Sequence, residues 1–244
     1  MTESTDTDTA TGELAELAES IFSGATGTGP GFDAALWKTL EDSGLARLTL
    51  PERAGGSGAT FTDAAAVLTA AGAHAARVPL VETDLLAGWL LHEAGIALPA
   101  GPLTAVAADL DVDGDTVRGE LHRVPWSRAA AGIAVLTPTR VVLLDPERVT
   151  ITDGANLAEE PRDTVRVDTT ATTAEVPQGA GEQFRVRAAL GRALLLAGAA
   201  RGALAAAVTY AGQRIQFGRP IGKLQAVQQQ LALAAAEVAA ASAA

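Results

Sequence analysis

The residues best suited to chemistry lie near the C-terminal end of the 244-residue chain, in the string Tyr210 to Leu231, YAGQRIQFGRPIGKLQAVQQQL. Arg214 stands there with three neutral amides, Gln213, Gln216 and Gln225, and with Phe217, Gly218, Pro220 and Ile221. A guanidinium fork can hold phosphate oxygens bidentately, and side-chain amides offer both donors and acceptors. The set suits a pyrophosphate and an adenosine edge, with Arg214 the first choice for the phosphate contact. A purely structural reading stands beside it: an αα-hairpin whose turn needs Gly218, Pro220 and Gly222, with Phe217 packed between the helices.

Other chemistry-bearing patterns are weaker. Asp109 to Glu120, DLDVDGDTVRGE, fits the letters of an EF-hand calcium loop. Loop position eight is Thr116, and Val124 and Pro125 follow as strand and break, so an ordinary β-turn is expected there. His74, His92 and His122 are far apart with no second ligand at helical spacing, so no metal site is expected. No nucleophile elbow surrounds any serine, and Gly55, Gly56 and Gly58 lack the strand-before, helix-after context of a phosphate loop.

Three kinds of segment must position these residues. From Glu13 to about Ile96 apolar residues recur at three and four, as in Leu14, Leu17, Ala18 and Ile21 or Leu36, Trp37 and Leu40, which predicts helices. Gly44 ends the second of them before a short extended piece, Arg47 to Leu50, and Pro51 to Gly58 must be a loop. A third helix starts near Thr62 or Asp63, either of which can cap it, and a fourth covers about Thr83 to Ala94. After Pro99 and Pro102, short runs at Val117, Val124, Ile133 to Leu136, Val141 to Leu144 and Val165 to Val167 predict a small all-β unit. Helix returns from about Gln183 to Gln213 and from about Lys223 onward. The fold class is α+β: an N-terminal helical domain (13–101), a small central β-barrel-like domain (102–176) and a C-terminal helical bundle present only in part (177–244), after a disordered tail (1–12).

Bulk composition narrows the partners. A net charge of −11 repels polyanions, so neither nucleic acid nor an anionic membrane is an expected partner. The apolar stretch Ala188 to Val208 is long enough to suggest a membrane span, but Arg192 and Arg201 interrupt it, so a helix buried inside protein is expected. The acidic, Thr-rich N-terminus lacks the order of a secretory signal, and with no cysteine there is neither disulfide nor thiolate site. A cytoplasmic location is the expectation.

The Arg214, Phe217-Gly218, Pro220-Ile221 and Gln225 string resembles the acyl-CoA dehydrogenase family, a flavoprotein family. The likeness is collinear from about Leu14. The Pro51-Glu52 and Gly55-Gly56 loop and the strand region GELHRVPWSRAAAGIAVL are similar to the family's corresponding segments. The resemblance implies FAD held by Arg214, Gln216, Phe217 and Gln225, with Thr104 as the candidate from the entrance to the β unit. It further implies an acyl-CoA substrate, removal of two hydrogens across Cα–Cβ in lipid metabolism, and a homo- or hetero-oligomer in which the Phe-Gly turn reaches a neighbour's FAD.

This chain departs from the family at two places. Where many members carry Gly-Ser-Asp it reads GPLTAVAADLDVDG, and where some carry the catalytic acid it reads Arg187, Ala188, Ala189; Glu182 and Glu237 stand elsewhere. The catalytic base is therefore unknown, and the ending AAAEVAAASAA suits interruption in mid-helix. Two alternatives follow: a non-catalytic subunit or fragment that completes a partner chain's FAD site, and a cofactor-free helical interaction protein.

Overall fold

The two buried faces of the chain are built by different periodicities. A computed structural model describes residues 3–25 and 31–243, with side chains from Thr11 onward apart from these gaps. Its architecture is α+β, with two compact units: 1–23, 65–76 and 192–244 in one, 24–64 and 77–191 in the other.

Helix α1 covers Glu3–Ser23, so residues 3–12 are helical rather than the expected disordered tail. Helix α2, Ala34–Asp42, is capped by Asp33, whose carboxylate accepts from the Leu36 N–H at 2.9 Å, and it buries Leu36, Trp37 and Leu40. Gly44, at φ +73°, turns the chain out of it.

Arg47 to Leu50 is not extended as expected but a run of turns and bends. The Leu48 and Leu50 carbonyls accept from Ala59 and Gly58 N–H across the following loop, not from a neighbouring strand. Helix α3 is Phe61–Ala73, and its cap is Thr60 rather than Thr62 or Asp63. Asp63 answers from the third helical position: it accepts from the Thr60 N–H at 2.9 Å, while its own N–H donates to Thr60 Oγ1 at 3.2 Å. The fourth helical stretch starts two residues before Thr83, as a π-helical segment, Val81–Gly88, running into α4, Trp89–Glu93.

The β unit has two four-stranded sheets. One is ordered β1 (Leu103–Ala107), β4 (Gly132–Leu136), β5 (Arg140–Leu144), β8 (Thr172–Glu175), with β1 parallel to β4 and the other pairs antiparallel. The other is β2 (Asp111–Asp113), β3 (Thr116–Pro125), β7 (Arg162–Thr170), β6 (Thr150–Thr152), antiparallel throughout. Val117, Leu121, Val124, Val165 and Val167 of this sheet share one buried cluster with Ile133, Val135, Val142 and Leu144 of the first. The acidic Asp109 to Glu120 stretch forms the β2–β3 hairpin, with Asp111 opposite Arg118 and Gly114 at φ +58°.

Helix α5, Ala180–Gln213, begins three residues before the expected start. Within the unit that holds its later part it packs on the end of α3 at backbone range: a Cβ on Gly198 would lie 2.1 Å from the Thr69 carbonyl, and one on Gly202 2.1 Å from that of Ala73. Helix α6 is Gln225–Ala243 and has no buried residue. The expectation that Ala188 to Val208 is buried inside protein is not met in this chain: only 6% of the most apolar window of α5 is buried, and Leu196 and Val208 are exposed.

Candidate functional site

Between α5 and α6 the chain makes a minimal hairpin, β9 (Ile215–Gln216) against β10 (Arg219–Pro220). Phe217 at φ +53° and Gly218 at φ +76° form its two-residue turn, both in the left-handed region that a type I′ turn requires. Backbone bonds frame it: the Arg214 N–H donates to Tyr210 O at 2.8 Å, and the Ile221 N–H to Arg214 O at 2.8 Å. Arg214, Gln216 and Phe217 are thus brought together on one hairpin, and Gln225 is the first residue of α6.

All four side chains are exposed. The Phe217 ring is 87% exposed, so it does not pack between the helices. An aromatic ring held out to solvent on a strained turn, beside an arginine without a side-chain partner among the described residues, is a surface built to meet something else.

Thr104 stands in the other compact unit. It is fully buried on β1, and its hydroxyl donates to the Pro125 carbonyl at 2.5 Å. Pro125 belongs to a strained corner that spacing alone did not reveal. The β3–β7 register slips between Leu121 and Val124, and Arg123 (φ +56°) and Trp126 (φ +55°) both hold left-handed backbone. Non-glycine residues in that region cost about 1–3 kcal/mol each and gather at ligand sites. The corner is anchored from behind by Asp163, which accepts from Ser127 Oγ at 2.8 Å, from the Gly154 N–H at 3.0 Å and from Arg128 Nε at 3.2 Å. Burial pushes the Asp163 carboxyl up, but the Arg128, Gly154 and Ser127 bonds outweigh it and hold it below the usual carboxylate value.

The π-helical segment carries a further group that the sequence pattern did not single out. Asp84 is buried there, and its carboxylate accepts from the Thr49 N–H at 3.0 Å and from the Thr49 hydroxyl at 3.1 Å. Burial pushes it up to about 6, against the bonds from Thr49 and Leu50 and the charge of Arg187. The Arg187 guanidinium sits 4.4 Å over the Trp89 ring and 5.0 Å from that of Phe61, and burial draws its pKa down. Glu182 and Glu237 are exposed.

Comparison with known proteins gives two family matches along the chain. Residues 6–97 match the model described as acyl-CoA dehydrogenase, N-terminal domain, and residues 183–244 that described as acyl-CoA dehydrogenase, C-terminal domain. Among curated proteins, the acyl-CoA dehydrogenase IpdE2 of Mycobacterium tuberculosis (strain ATCC 25618 / H37Rv) is 31% identical over 83% of this chain and 61% of its own length. IpdE2 of Mycolicibacterium smegmatis (strain ATCC 700084 / mc(2)155) is 32% identical with the same coverage. The chain therefore spans about three fifths of the length of these relatives. Among solved structures, a variant of the Tcur3481-Tcur3483 steroid ACAD is 27% identical with a TM-score of 0.78, covering 95% of this chain and 74% of that one. The ChsE4-ChsE5 complex from Mycobacterium tuberculosis, at 22% identity and a TM-score of 0.79, covers 94% of this chain and 74% of that one and shares the fold.

Proposed function

Because the chain belongs to the acyl-CoA dehydrogenase family, we propose that it binds FAD at the Phe217 hairpin and serves the α,β-dehydrogenation of an acyl-CoA thioester. The observation that carries this reading is the hairpin itself: Phe217 is 87% exposed at the tip of a two-residue turn between paired strands. The residues present fit the dinucleotide end of FAD. With no side-chain partner among the described residues, Arg214 offers donors to pyrophosphate oxygens, Phe217 a ring face for stacking, and Gln216 and Gln225 amides to a nucleoside. When bound, FAD supplies the hydride acceptor that no side chain can provide. Arg214 would bind and orient the cofactor, while Thr104, whose hydroxyl is spent on the Pro125 carbonyl, supports the Arg123–Trp126 corner of the β unit from within. No acid of this chain is assigned the α-proton.

A second reading follows from α6, which has no buried residue: the chain works as a non-catalytic subunit or part, completing a site in a homo- or hetero-oligomer whose other chain provides the base. The two-component names of the Tcur3481-Tcur3483 and ChsE4-ChsE5 structures support an oligomer. We place the protein in the cytoplasm, with the exposed face of α5 meeting protein rather than lipid.

The test is the visible spectrum of the purified chain. A flavin that bleaches on adding acyl-CoA supports the enzyme, a flavin retained only with a partner supports the subunit, and no flavin under either condition ends both. In the flavin-binding case, Arg214→Ala is expected to weaken FAD affinity about 10- to 100-fold, the loss of one hydrogen-bonded charge contact, with unchanged circular dichroism.

A further inference from the structure

Two buried aspartates in the same compact unit are held in opposite ways. Asp163 has a bonded counterion, since Arg128 donates to it through Nε and Nη2. Among the described residues Asp84 has only neutral hydrogen-bond donors: the Thr49 N–H, the Thr49 hydroxyl and the Leu50 N–H. The cations that face it are Arg47, from the adjoining loop, and Arg187, from α5. Both sense its charge without forming an ion pair with it, and Arg187 also faces Glu93. A buried carboxylate of this kind is costly when ionised, because hydrogen bonds from neutral groups replace only part of the lost hydration.

The surroundings give that proton a mechanical meaning. Asp84 lies on the π-helical segment, whose eight residues are all buried; such turns are rare and gather at functional sites. Its neighbour Thr83 is tied to the start of β1, accepting from the Leu103 N–H at 2.9 Å and donating to the Leu103 carbonyl at 3.0 Å. On the other side, residues 47–50 are the floor on which the next loop folds back. The Ser57 N–H donates to Arg47 O at 3.2 Å, the Gly58 N–H to Leu50 O at 2.8 Å and the Ala59 N–H to Leu48 O at 2.9 Å. A Cβ on Gly56 would lie 2.0 Å from the Leu50 carbonyl, so the loop rests directly on that floor. Arg47, Gly55, Glu41 and Gly44 line a cavity of about 230 Å³ beside it.

We propose that Asp84 is a proton-operated latch: ionised, it clasps Thr49 and Leu50 and keeps the 51–59 loop seated beside the Arg47 cavity; protonated, it releases that segment. The chemistry is a single proton taken from solvent. The new carboxyl O–H must donate, and the acceptor at hand is Thr49 Oγ1, whose own hydrogen then turns away. The Thr49 and Leu50 N–H groups are left with neutral acceptors in place of a charged one, bonds about half as strong.

The sign of the global effect is opposite to the local one. The folded-state value, about 6, lies above the ordinary 3.8. The folded chain therefore binds this proton more tightly than the unfolded chain, and the stability it contributes is lost as pH rises through about 6. Acid thus loosens the loop while the chain as a whole becomes harder to unfold, a pairing that simple acid denaturation does not produce.

Amide hydrogen exchange on the full chain, corrected for intrinsic exchange and followed from about pH 7.5 to about pH 5, tests the latch. Thr49, Leu50, Gly58 and Ala59 are expected to lose about tenfold or more in protection, and Asp84→Asn to abolish the change. Over the same range the urea midpoint of the native chain should rise relative to that variant. Protection that stays level in the native chain, or a pH dependence that survives in Asp84→Asn, overturns the proposal. Thr49→Val supplies an arm that keeps the carboxylate: with one donor to the ionised form removed, release should occur at higher pH, and an unmoved midpoint also overturns it.

Discussion

The β unit and the last two helices use the same few apolar residues to opposite effect. In the β unit, Val117, Leu121, Val124, Ile133, Val142 and Val165 are wholly buried, because alternation on two facing sheets closes a core within one chain. In α6 no residue is buried, and Leu233 is 63% exposed, although alanine, leucine and glutamine make it a good helix former. Helices draw most of their stability in proteins from a packed face. The comparison teaches that one region finishes its own interior, whereas the other presents a surface, and the Phe217 hairpin belongs to the second kind.

The largest effect that would sharpen this contrast is at Asp163. Replacing it with alanine strands Arg128 and frees Ser127 and the Gly154 N–H, and should cost about 3 kcal/mol, the low end for a broken buried pair because Arg128 is partly exposed. Urea denaturation measures it. The native carboxyl is held below its ordinary value of 3.8, so the folded chain binds this proton less tightly than the unfolded chain. Its contribution is complete above that value and disappears as pH falls through the lower folded value. A variant as stable as the native chain at neutral pH would show that the corner behind Trp126 is not anchored this way.

A middle-sized effect is expected at the seam between α5 and α3. Gly198→Ala places a methyl where the Thr69 carbonyl already stands, and the backbones must part, costing about 1–3 kcal/mol. Thermal melts read this, and an unchanged midpoint would mean that the two helices do not approach so closely in solution. The smallest effect is expected at Leu233→Ala, within about 0.5 kcal/mol for the isolated chain. A loss of several times that amount would reveal that α6 is covered in solution by another copy, and the contrast between the two regions would fail.

Much of the architecture was legible from spacing. The buried trio Leu36, Trp37 and Leu40, the runs that became β4 and β5, and the Asp-Gly hairpin after Asp111 all follow from periods of 3.6 or 2 and from turn chemistry. Two of the errors come from hydrogen-bond partners that spacing does not reveal. Arg47 to Leu50 reads as extended, yet it is a floor for loop residues eight to eleven positions later. The cap of α3 moved to Thr60 because Asp63 bonds backwards. For the candidate site, Arg214, Gln216, Phe217 and Gln225 were visible as residue types at a turn, and the exposure of Phe217 was not.

What the amino-acid order determined by itself is local: which stretches wind, which alternate, where glycine and proline turn the chain, and the string from Arg214 to Gln225 that marks the family. The tertiary structure alone decided burial and strain. Only folding could leave Asp84 without a bonded counterion on a π-helical segment while giving Asp163 its Arg128, because a carboxylate's cost depends on what surrounds it rather than on its neighbours in sequence. In the same way, only the fold shows Arg123 and Trp126 twisted into left-handed backbone and Phe217 held out to solvent, since these depend on pairing and packing that no local period encodes.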